Sequence, residues 1–208
     1  MKFQPLLFML VALVAVAGPM AGAVERPNIV FVLFDDFGWG QPPSNRGDSP
    51  FKTPSFDGLA REGMRFTDAH SAAANCTPTR YGLLTGRYPS RIGQFGVLNT
   101  YSPPIIPGER LTVASFLKGQ GYHTACIGKW HLGLNWTGDK KSRPDTPPVG
   151  ARFEDGPNTL GFDYFYGFTH ARNIGCILEQ DAVVSHVERI RNQPLMIAKA
   201  LDYIDERA

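Results

Sequence analysis

Short apolar runs alternate along the chain with stretches of helical spacing. The run PNIVFVLFDD (27–36) is almost continuously apolar and ends in two carboxylates, a pattern typical of a strand buried on both faces of a parallel sheet. MRFTDAHS (64–71) alternates apolar and polar residues, which predicts a half-buried strand. YHTACIG (122–128) and the aromatic LGFDYFYGF (160–168) predict two further strands.

Four segments predict helices. TPSFDGLAREG (53–63) begins with Thr-Pro and ends with glycine, as helices often do. The others are a short helix over 79–84, LTVASFLKGQG (111–121) with Thr112 as its N-cap, and an amphipathic helix over 194–208. The apolar residues expected to face inward are Leu111, Ala114, Phe116 and Leu117 in the third helix and Met196, Ala200, Leu201 and Ile204 in the last.

The order of these elements predicts an α/β fold in which helices flank a mixed, mostly parallel central sheet. Residues 135–157 are rich in proline, glycine and charge, so we expect a surface loop there. The last predicted helix ends the chain where a sheet of this kind normally receives another strand. We therefore expect an incomplete sheet that exposes an edge and apolar surface.

The first residues have the pattern of an export signal. Lys2 precedes an apolar run, and the small residues Ala21 to Ala23 offer a cleavage site. A membrane-spanning helix is the alternative, but the apolar run is short for a bilayer and is closed by Pro19 and Gly22. We predict that residues 1–23 are removed. One domain over 24–208 would remain without a stable membrane anchor, periplasmic or secreted, or carried along the ER and lysosomal route in a eukaryote.

Composition narrows the functional classes. A hydrophobic fraction of 43% is typical of a globular protein, and a formal net charge of +2 gives no reason to expect nucleic acid as a partner. The cysteines are Cys76, Cys126 and Cys176. Because three is an odd number, at least one has a role other than a disulfide within this chain. Cys126 lies in an apolar strand and is predicted to belong to the core.

The adjacent carboxylates Asp35 and Asp36 follow the first apolar run. Ligands of α/β proteins bind beyond the carboxyl ends of such strands, and two neighbouring carboxylates repel each other unless a cation neutralises them. Ca²⁺ and Mg²⁺ are the hard cations that prefer oxygen ligands. A solvated turn in which one aspartate caps a helix is the other interpretation.

Cys76 begins the string CTPTRYGLLTGR (76–87), in which Arg80 follows four residues later. Three interpretations of this cysteine are open. It is a small buried apolar residue, a partner in a disulfide, or a thiolate nucleophile activated by Arg80 and a helix N-terminus. None of the three accounts for the whole string.

The string resembles the first signature of the sulfatase family, Cys-x-Pro-x-Arg followed by an ending like Leu-Thr-Gly-Arg. GYHTACIGKWHLG (121–133) is similar to the second signature, with its Gly-Lys-x-His core intact. PNIVFVLFDDFGWG (27–40) resembles the family's opening strand with its metal-binding aspartates, and LGFDYFYGF (160–168) resembles its next recurrent block. The resemblance runs from Pro27 to the end of the chain, in the family's order and spacing.

Two residues depart from the first signature. Thr79 stands where serine or alanine is commoner, and Asn75 stands where an apolar or small hydroxyl residue is usual. Neither residue belongs to the Cys-x-Pro-x-Arg core, so the resemblance still implies maturation of the cysteine.

The resemblance implies that a formylglycine-generating or other sulfatase-maturing enzyme oxidises Cys76 to formylglycine. A hydrated aldehyde offers one hydroxyl to attack sulfur and a second to expel sulfate while the carbonyl is restored, which makes it a self-releasing nucleophile. By the same resemblance, Asp35, Asp36 and residue 76 (Cys76 before maturation) are the metal ligands, and Ca²⁺ rather than Mg²⁺ is the expected cation.

The remaining signature residues gain roles from the same resemblance. Arg80 would hold the hydrate and its charge, and Lys129 would bridge the formylglycine and a sulfate oxygen. His131 would hydrogen-bond the hydrate and assist proton movement. Taken singly, Lys129 is an ordinary surface lysine and His131 a structural loop histidine. His170 and Arg172, in GFTHARNIG, either line a pocket for an anionic sugar or aryl group or belong to a surface loop.

The expected activity is hydrolysis of a sulfate ester of a small molecule or glycan. Family members complete their site with a further aspartate, an asparagine or histidine, a second catalytic histidine and often another lysine, and no matching block precedes Ala208. We therefore expect the amino-terminal portion of a sulfatase catalytic domain, poorly active alone.

One alternative is a phosphate or phosphonate ester hydrolase of the same alkaline-phosphatase-like superfamily, with Thr77 or Thr79 as nucleophile. Another is a non-catalytic exported protein that binds Ca²⁺ or sulfated glycans.

Overall fold

The computed structural model describes residues 26–138 and 144–207. It divides into two units, Met1–Leu33 and Phe34–Ala208. The predicted signal segment, residues 1–23, lies outside the described residues. Within the described ranges, no helix combines the length and the hydropathy that crossing a bilayer requires.

The first unit is described only for residues 26–33, which take part in no β-ladder. The apolar side chains from Ile29 to Leu33 are 38% to 66% exposed. Residue 34 is also outside any strand, and residues 35–36 form a bend. The prediction of a buried strand over 27–36 is therefore wrong for this structure. An apolar run becomes a strand only where a neighbouring backbone completes its hydrogen bonds.

The second unit contains the regular elements of the described chain. The α-helices are α1 Pro54–Glu62, α2 Cys76–Thr85, α3 Val113–Gly119 and α4 Arg189–Arg207. The strands are β1 Ala125–Lys129, β2 Tyr164–Phe168, β3 Cys176–Glu179 and β4 Ala182–His186. Short 3₁₀ turns occupy Pro89–Ile92, Pro157–Leu160 and Ala171–Asn173.

The four strands form one mixed sheet in the order β1-β2-β3-β4. β1 and β2 are parallel, with Lys129 opposite Phe168, while β2-β3 and β3-β4 are antiparallel. The predicted α/β class with a mixed sheet is confirmed. The prediction of a mostly parallel sheet is wrong for the described strands, because only one of their three pairings is parallel. The tight β3-β4 hairpin, which turns at Gln180 with a positive φ of 54°, was not expected from the sequence pattern.

Side chains alternate between the two faces of this sheet, as the strand period requires. On one face, Phe165 and Leu178 pack with Tyr81 of α2 and with Trp130 in the larger core cluster. On the other face, Tyr166 and Ile177 pack against Met196 of α4. Helices thus cover both faces, and α2 is anchored directly over the carboxyl end of β1.

Several predicted details are wrong. Residues 64–71 form no strand and are exposed, because no neighbouring backbone pairs with them in a ladder. α2 begins at Cys76 and not near Thr79. α4 begins five residues before Pro194, where the Asn192 amide donates to the Ile174 carbonyl and fixes the added turn. Four residues expected to face inward are at least 40% exposed: Leu111, Phe116, Leu201 and Ile204.

Gly167 in β2 allows the two parallel strands to approach. A Cβ built at this position would collide with the carbonyl oxygen of Gly128 on β1. We expect Gly167→Ala to lower the free energy of unfolding by about 1–3 kcal/mol, the usual cost of overpacking. Urea denaturation would measure it. Gly47→Ala is the matched control, because a Cβ at Gly47 meets nothing within 4 Å; equal losses for both variants would contradict the prediction.

Candidate active site

Helix α2 places Cys76 as its first residue. Asn75 precedes it in an extended conformation, and Gly86 ends the helix with a φ of 65°, a left-handed conformation that glycine adopts without strain. The buried Thr77 hydroxyl donates to the His131 carbonyl at 2.9 Å and accepts from the Leu98 amide at 3.2 Å. These contacts hold the beginning of α2 against the segment that follows β1.

Cys76, Asp35 and Lys129 meet in one hydrogen-bonded group. The Lys129 ammonium lies 2.5 Å from Asp35 Oδ2 and 3.1 Å from Cys76 Sγ. Cys76 Sγ lies 3.4 Å from Asp35 Oδ1. The Lys129 side chain is only 7% exposed, so its charge is held at this position rather than solvated.

The charges around Asp35 set its protonation. Burial by itself would raise the pKa of Asp35, but the hydrogen bond and the charge of Lys129, aided by Cys76 and Arg80, hold it below its ordinary value. Asp35 is therefore a carboxylate at neutral pH, and its negative charge faces two cationic side chains.

Arg80 approaches the same group from one turn along α2. One terminal nitrogen donates to the Lys129 carbonyl, and the other lies 4.0 Å from Asp35 Oδ2. Its side chain is 13% exposed. Its Nε is buried and has no hydrogen-bond partner among the described residues, which leaves a charged donor available to an oxyanion.

His131 is held in a defined orientation beside this group. It is 7% exposed, and its Nε2 donates to the Leu98 carbonyl at 2.8 Å. Its Nδ1 is buried without a partner among the described residues. Burial, together with the charges of Lys129, His170 and Arg80, lowers the pKa of His131 to about 4. The imidazole is therefore neutral at physiological pH, with a bare Nδ1 that can accept a proton.

His170 lies next to His131, with ring centroids 5.3 Å apart. Its Nδ1 accepts from the Arg172 amide at 3.1 Å, and its Nε2 lies 2.9 Å from Thr100 Oγ1. His170 and Arg172 both line a cavity of about 530 Å³. Burial, Arg172 and Lys129 lower the pKa of His170. The structure thus brings His170 to the candidate site and places Arg172 on a cavity beside it.

Asp36 is exposed, and it takes no part in the hydrogen bonds that join Asp35, Cys76 and Lys129. It has a positive φ of 55°, and His131 has one of 57°; such strained non-glycine conformations cluster at functional sites.

The donors near Cys76 fit part of a calcium site. Asp35 and Asp36 offer the hard carboxylate oxygens that Ca²⁺ prefers, but Ca²⁺ takes six to eight oxygens. No group of three or more His, Cys, Asp or Glu side chains suited to a metal ion occurs among the described residues. Lys129 also occupies one Asp35 oxygen. A bound cation would therefore need further oxygen ligands and would share Asp35 with Lys129.

All three cysteines are free thiols in this structure. Burial raises the pKa of Cys126 to about 12 and that of Cys176 to about 11. Both are therefore protonated and unreactive at neutral pH. Cys76 is the cysteine that lies among charged side chains.

Sequence reasoning missed the residues that hold the histidines. Thr77 and Leu98 fix His131. Thr100 fixes His170 and is itself held by the Asn173 side-chain amide. A signal for the histidine pair was present in the sequence. His131 and His170 each lie two residues beyond the end of a strand, and those strands are parallel and in register, which brings equivalent positions to the same sheet edge.

Comparison with known proteins identifies the family of this chain. The family model described as Sulfatase matches residues 27–174. Arylsulfatase G of Mus musculus is 38% identical over 151 residues, and an N-acetylgalactosamine-6-O-sulfatase of Bacteroides thetaiotaomicron is 39% identical over 140 residues. These matches cover 73% and 67% of this chain and 25% and 26% of the respective relatives.

The solved structure described as Ps i-CgsB superimposes with a TM-score of 0.64 at 25% identity, covering 83% of this chain and 40% of that one. The fold and the side chains that meet at Cys76 thus define an α/β protein with a charged site at the edge of its sheet. The chain belongs to the sulfatase family. It spans about a quarter of the length of the curated relatives it matches.

Proposed function

We propose that this chain contributes the nucleophile, and the residues around it, to the active site of a sulfuric ester hydrolase. Such an enzyme releases inorganic sulfate from an aryl or carbohydrate sulfate. The observation that carries the proposal is the Lys129 ammonium, which joins Cys76 Sγ and Asp35 while its side chain is almost fully buried. A desolvated cation at this position is suited to an anionic ester and to charge that develops during its cleavage.

The proposal assigns formylglycine to position 76, where its hydrated aldehyde would supply the hydroxyl nucleophile toward sulfur. Asp35 and Asp36 would hold Ca²⁺, which supplies positive charge toward sulfate oxygens when bound. Lys129 would orient the group at position 76 and one sulfate oxygen. The buried donors of Arg80 would stabilise negative charge, which its unpaired Nε supports.

His131 would act as the proton acceptor. Its Nε2 is committed to the Leu98 carbonyl, so only Nδ1 is available, and the lowered pKa keeps that nitrogen unprotonated at neutral pH. A group that removes a proton must be in its base form at the operating pH. The contacts of Thr77 with the His131 carbonyl hold this segment close to position 76.

The phosphatase alternative, with a threonine nucleophile, has less support. The Thr77 side chain is fully buried and hydrogen-bonded to the backbone. The Thr79 hydroxyl donates to the Ala73 carbonyl at 2.6 Å. A nucleophile must reach its substrate, whereas the Cys76 side chain is partly accessible.

Maturation at Cys76 is directly testable. Expressed through an export route with a sulfatase-maturing enzyme, the chain should carry an aldehyde at residue 76 and at neither Cys126 nor Cys176. Peptide mass spectrometry after labelling with a hydrazide would locate it. Cys126→Ala should keep the label and Cys76→Ala should lose it. An unmodified thiol at residue 76 in every preparation would contradict the formylglycine assignment and favour a non-catalytic binding role.

Hydrolysis is tested separately with an aryl sulfate and the matching aryl phosphate. We expect sulfate release to exceed phosphate release, and we expect residues 24–208 alone to turn over far more slowly than a whole sulfatase. Preferred release of phosphate would overturn the proposed reaction.

A further inference from the structure

The cavity of about 530 Å³ beside the candidate site has a polar floor. Thr100, His170 and Asn173 line it and are only 7%, 6% and 7% exposed. Buried polar side chains are costly unless they are hydrogen-bonded, and these three are bonded to each other. The cavity also falls in the size range of small-molecule sites.

The directions of these hydrogen bonds leave one donor unused. His170 Nδ1 accepts from the Arg172 amide, so in the neutral ring Nε2 carries the proton and donates to Thr100 Oγ1. Asn173 Nδ2 donates to the same oxygen at 2.6 Å. Thr100 Oγ1 therefore accepts twice, and its own hydroxyl proton has no acceptor among the described residues. A ligand oxygen in the cavity would satisfy it.

The cavity walls combine charged and polar side chains with the apolar surface of Tyr101 and Pro144. Arg172 is a cation, Asp145 is an anion, and Asn99 and Thr146 are neutral and polar. All four are exposed at the cavity mouth. A lining dominated by arginine would select an anion and an apolar lining would select an aromatic or sterol group. A mixture of carboxylate, guanidinium, amide and hydroxyl groups matches vicinal hydroxyls, each of which both donates and accepts.

The cavity adjoins the candidate site and shares lining residues with it. Asn99 and Thr100 also line a cavity of about 10 Å³ whose wall includes His131. The ring of His170 lies 5.3 Å from that of His131. A ligand in the larger cavity would therefore lie next to the side chains assigned to sulfate.

We propose that this cavity is the subsite for a sugar ring, which makes the substrate a carbohydrate sulfate rather than an aryl or steryl sulfate. Sequence identity does not make this choice, since the relatives named for aryl and for amino-sugar substrates are 38% and 39% identical. The position of the sulfate in this inference rests on the proposed function; the recognition of the sugar hydroxyls does not.

The test uses the full chain and three probes. Saturation-transfer NMR follows N-acetylgalactosamine and 4-nitrophenyl sulfate, and isothermal titration calorimetry follows inorganic sulfate, which has no protons to observe. The uncharged sugar should bind, and Arg172→Ala and Asp145→Asn should each weaken it about tenfold, the loss expected for one charged hydrogen bond. Inorganic sulfate should bind equally to all variants. Arg91→Ala and Asp205→Asn are matched controls, because both residues are exposed and lie outside the cavity.

The outcomes separate the two proposals. Absence of sugar binding, or equal sugar binding by the cavity and control variants, overturns the sugar subsite even if sulfate binds. The sugar subsite is also overturned if 4-nitrophenyl sulfate binds in a way that depends on Arg172 and the sugar does not bind. The cavity would then be an aryl pocket. Sugar binding without any sulfate binding supports the subsite and counts against the proposed sulfatase function.

Discussion

Replacing Lys129 with methionine in the matured protein should lower kcat/KM for a sulfate ester by about 10²–10³, the loss typical of removing one preorganised charge from a transition state. Methionine preserves the unbranched shape of the side chain and removes only the ammonium. The variant leaves Asp35 without the partner at 2.5 Å and position 76 without the partner at 3.1 Å. Steady-state kinetics would show the loss mainly in kcat if the charge acts on the transition state.

A second measurement separates this electrostatic role from a packing role. Because Lys129 is the main charge that lowers the pKa of Asp35, the pKa of Asp35 should rise in Lys129→Met, as carboxyl NMR would detect. Lys118→Met is the control: Lys118 pairs with Asp163 at 2.7 Å, and its side chain is 51% exposed. Such surface pairs contribute little, so turnover should stay within about twofold. Unchanged turnover in Lys129→Met would remove Lys129 from the mechanism.

The residues of the candidate site could be named from sequence, but their contacts could not. Spacing alone left Cys76 and Lys129 open to several interpretations, and only the ordered sulfatase-like motifs brought them into one group. The 3.1 Å contact between them depends on how α2 packs over the end of β1. That packing rests on Tyr81 and on the buried Thr77, neither of which has a sequence signal of its own.

Strand predictions succeeded where local pattern and pairing agreed. The predicted strand over 160–168 contains β2, and the one over 122–128 covers β1 except for its last residue, Lys129. The two strands pair in parallel. The runs 27–36 and 64–71 have equally good patterns but form no strand. Periodicity reports which side chains could face a core, whereas a strand also needs a partner backbone. The sequence cannot say which segments will find one.

Replacing His131 with asparagine is expected to lower kcat/KM by about 10²-fold, the usual contribution of a general base. Asparagine is chosen because His131 has a φ of 57°, a left-handed conformation that asparagine tolerates better than most residues. In the unaltered protein, kcat/KM should fall on acidification as Nδ1 becomes protonated, with an apparent pKa near 4. The pH profile of the variant should lack this decline at low pH. A histidine with only a structural role would not produce such a decline in the unaltered protein.

The same lowered pKa predicts how stability depends on pH. The folded protein binds a proton at His131 only near pH 4, whereas an unfolded histidine binds it near pH 6.5. The unfolded state therefore holds more protons between these values, so the contribution of His131 is complete above about pH 6.5 and is lost as the pH falls toward 4. After discounting for access of water, the loss in the free energy of unfolding is on the order of 2 kcal/mol.

Urea denaturation at several pH values between about 4 and 7 would measure this effect. The free energy of unfolding should decline with acidification in the unaltered protein and more gently in His131→Asn. His123→Asn is the matched control, since His123 is solvent-exposed, and its curve should parallel that of the unaltered protein. Parallel curves for all three proteins would mean that His131 is not held neutral by its surroundings. The Nδ1 atom could then no longer be assigned as the proton acceptor, because burial and a bare nitrogen are the basis of that role.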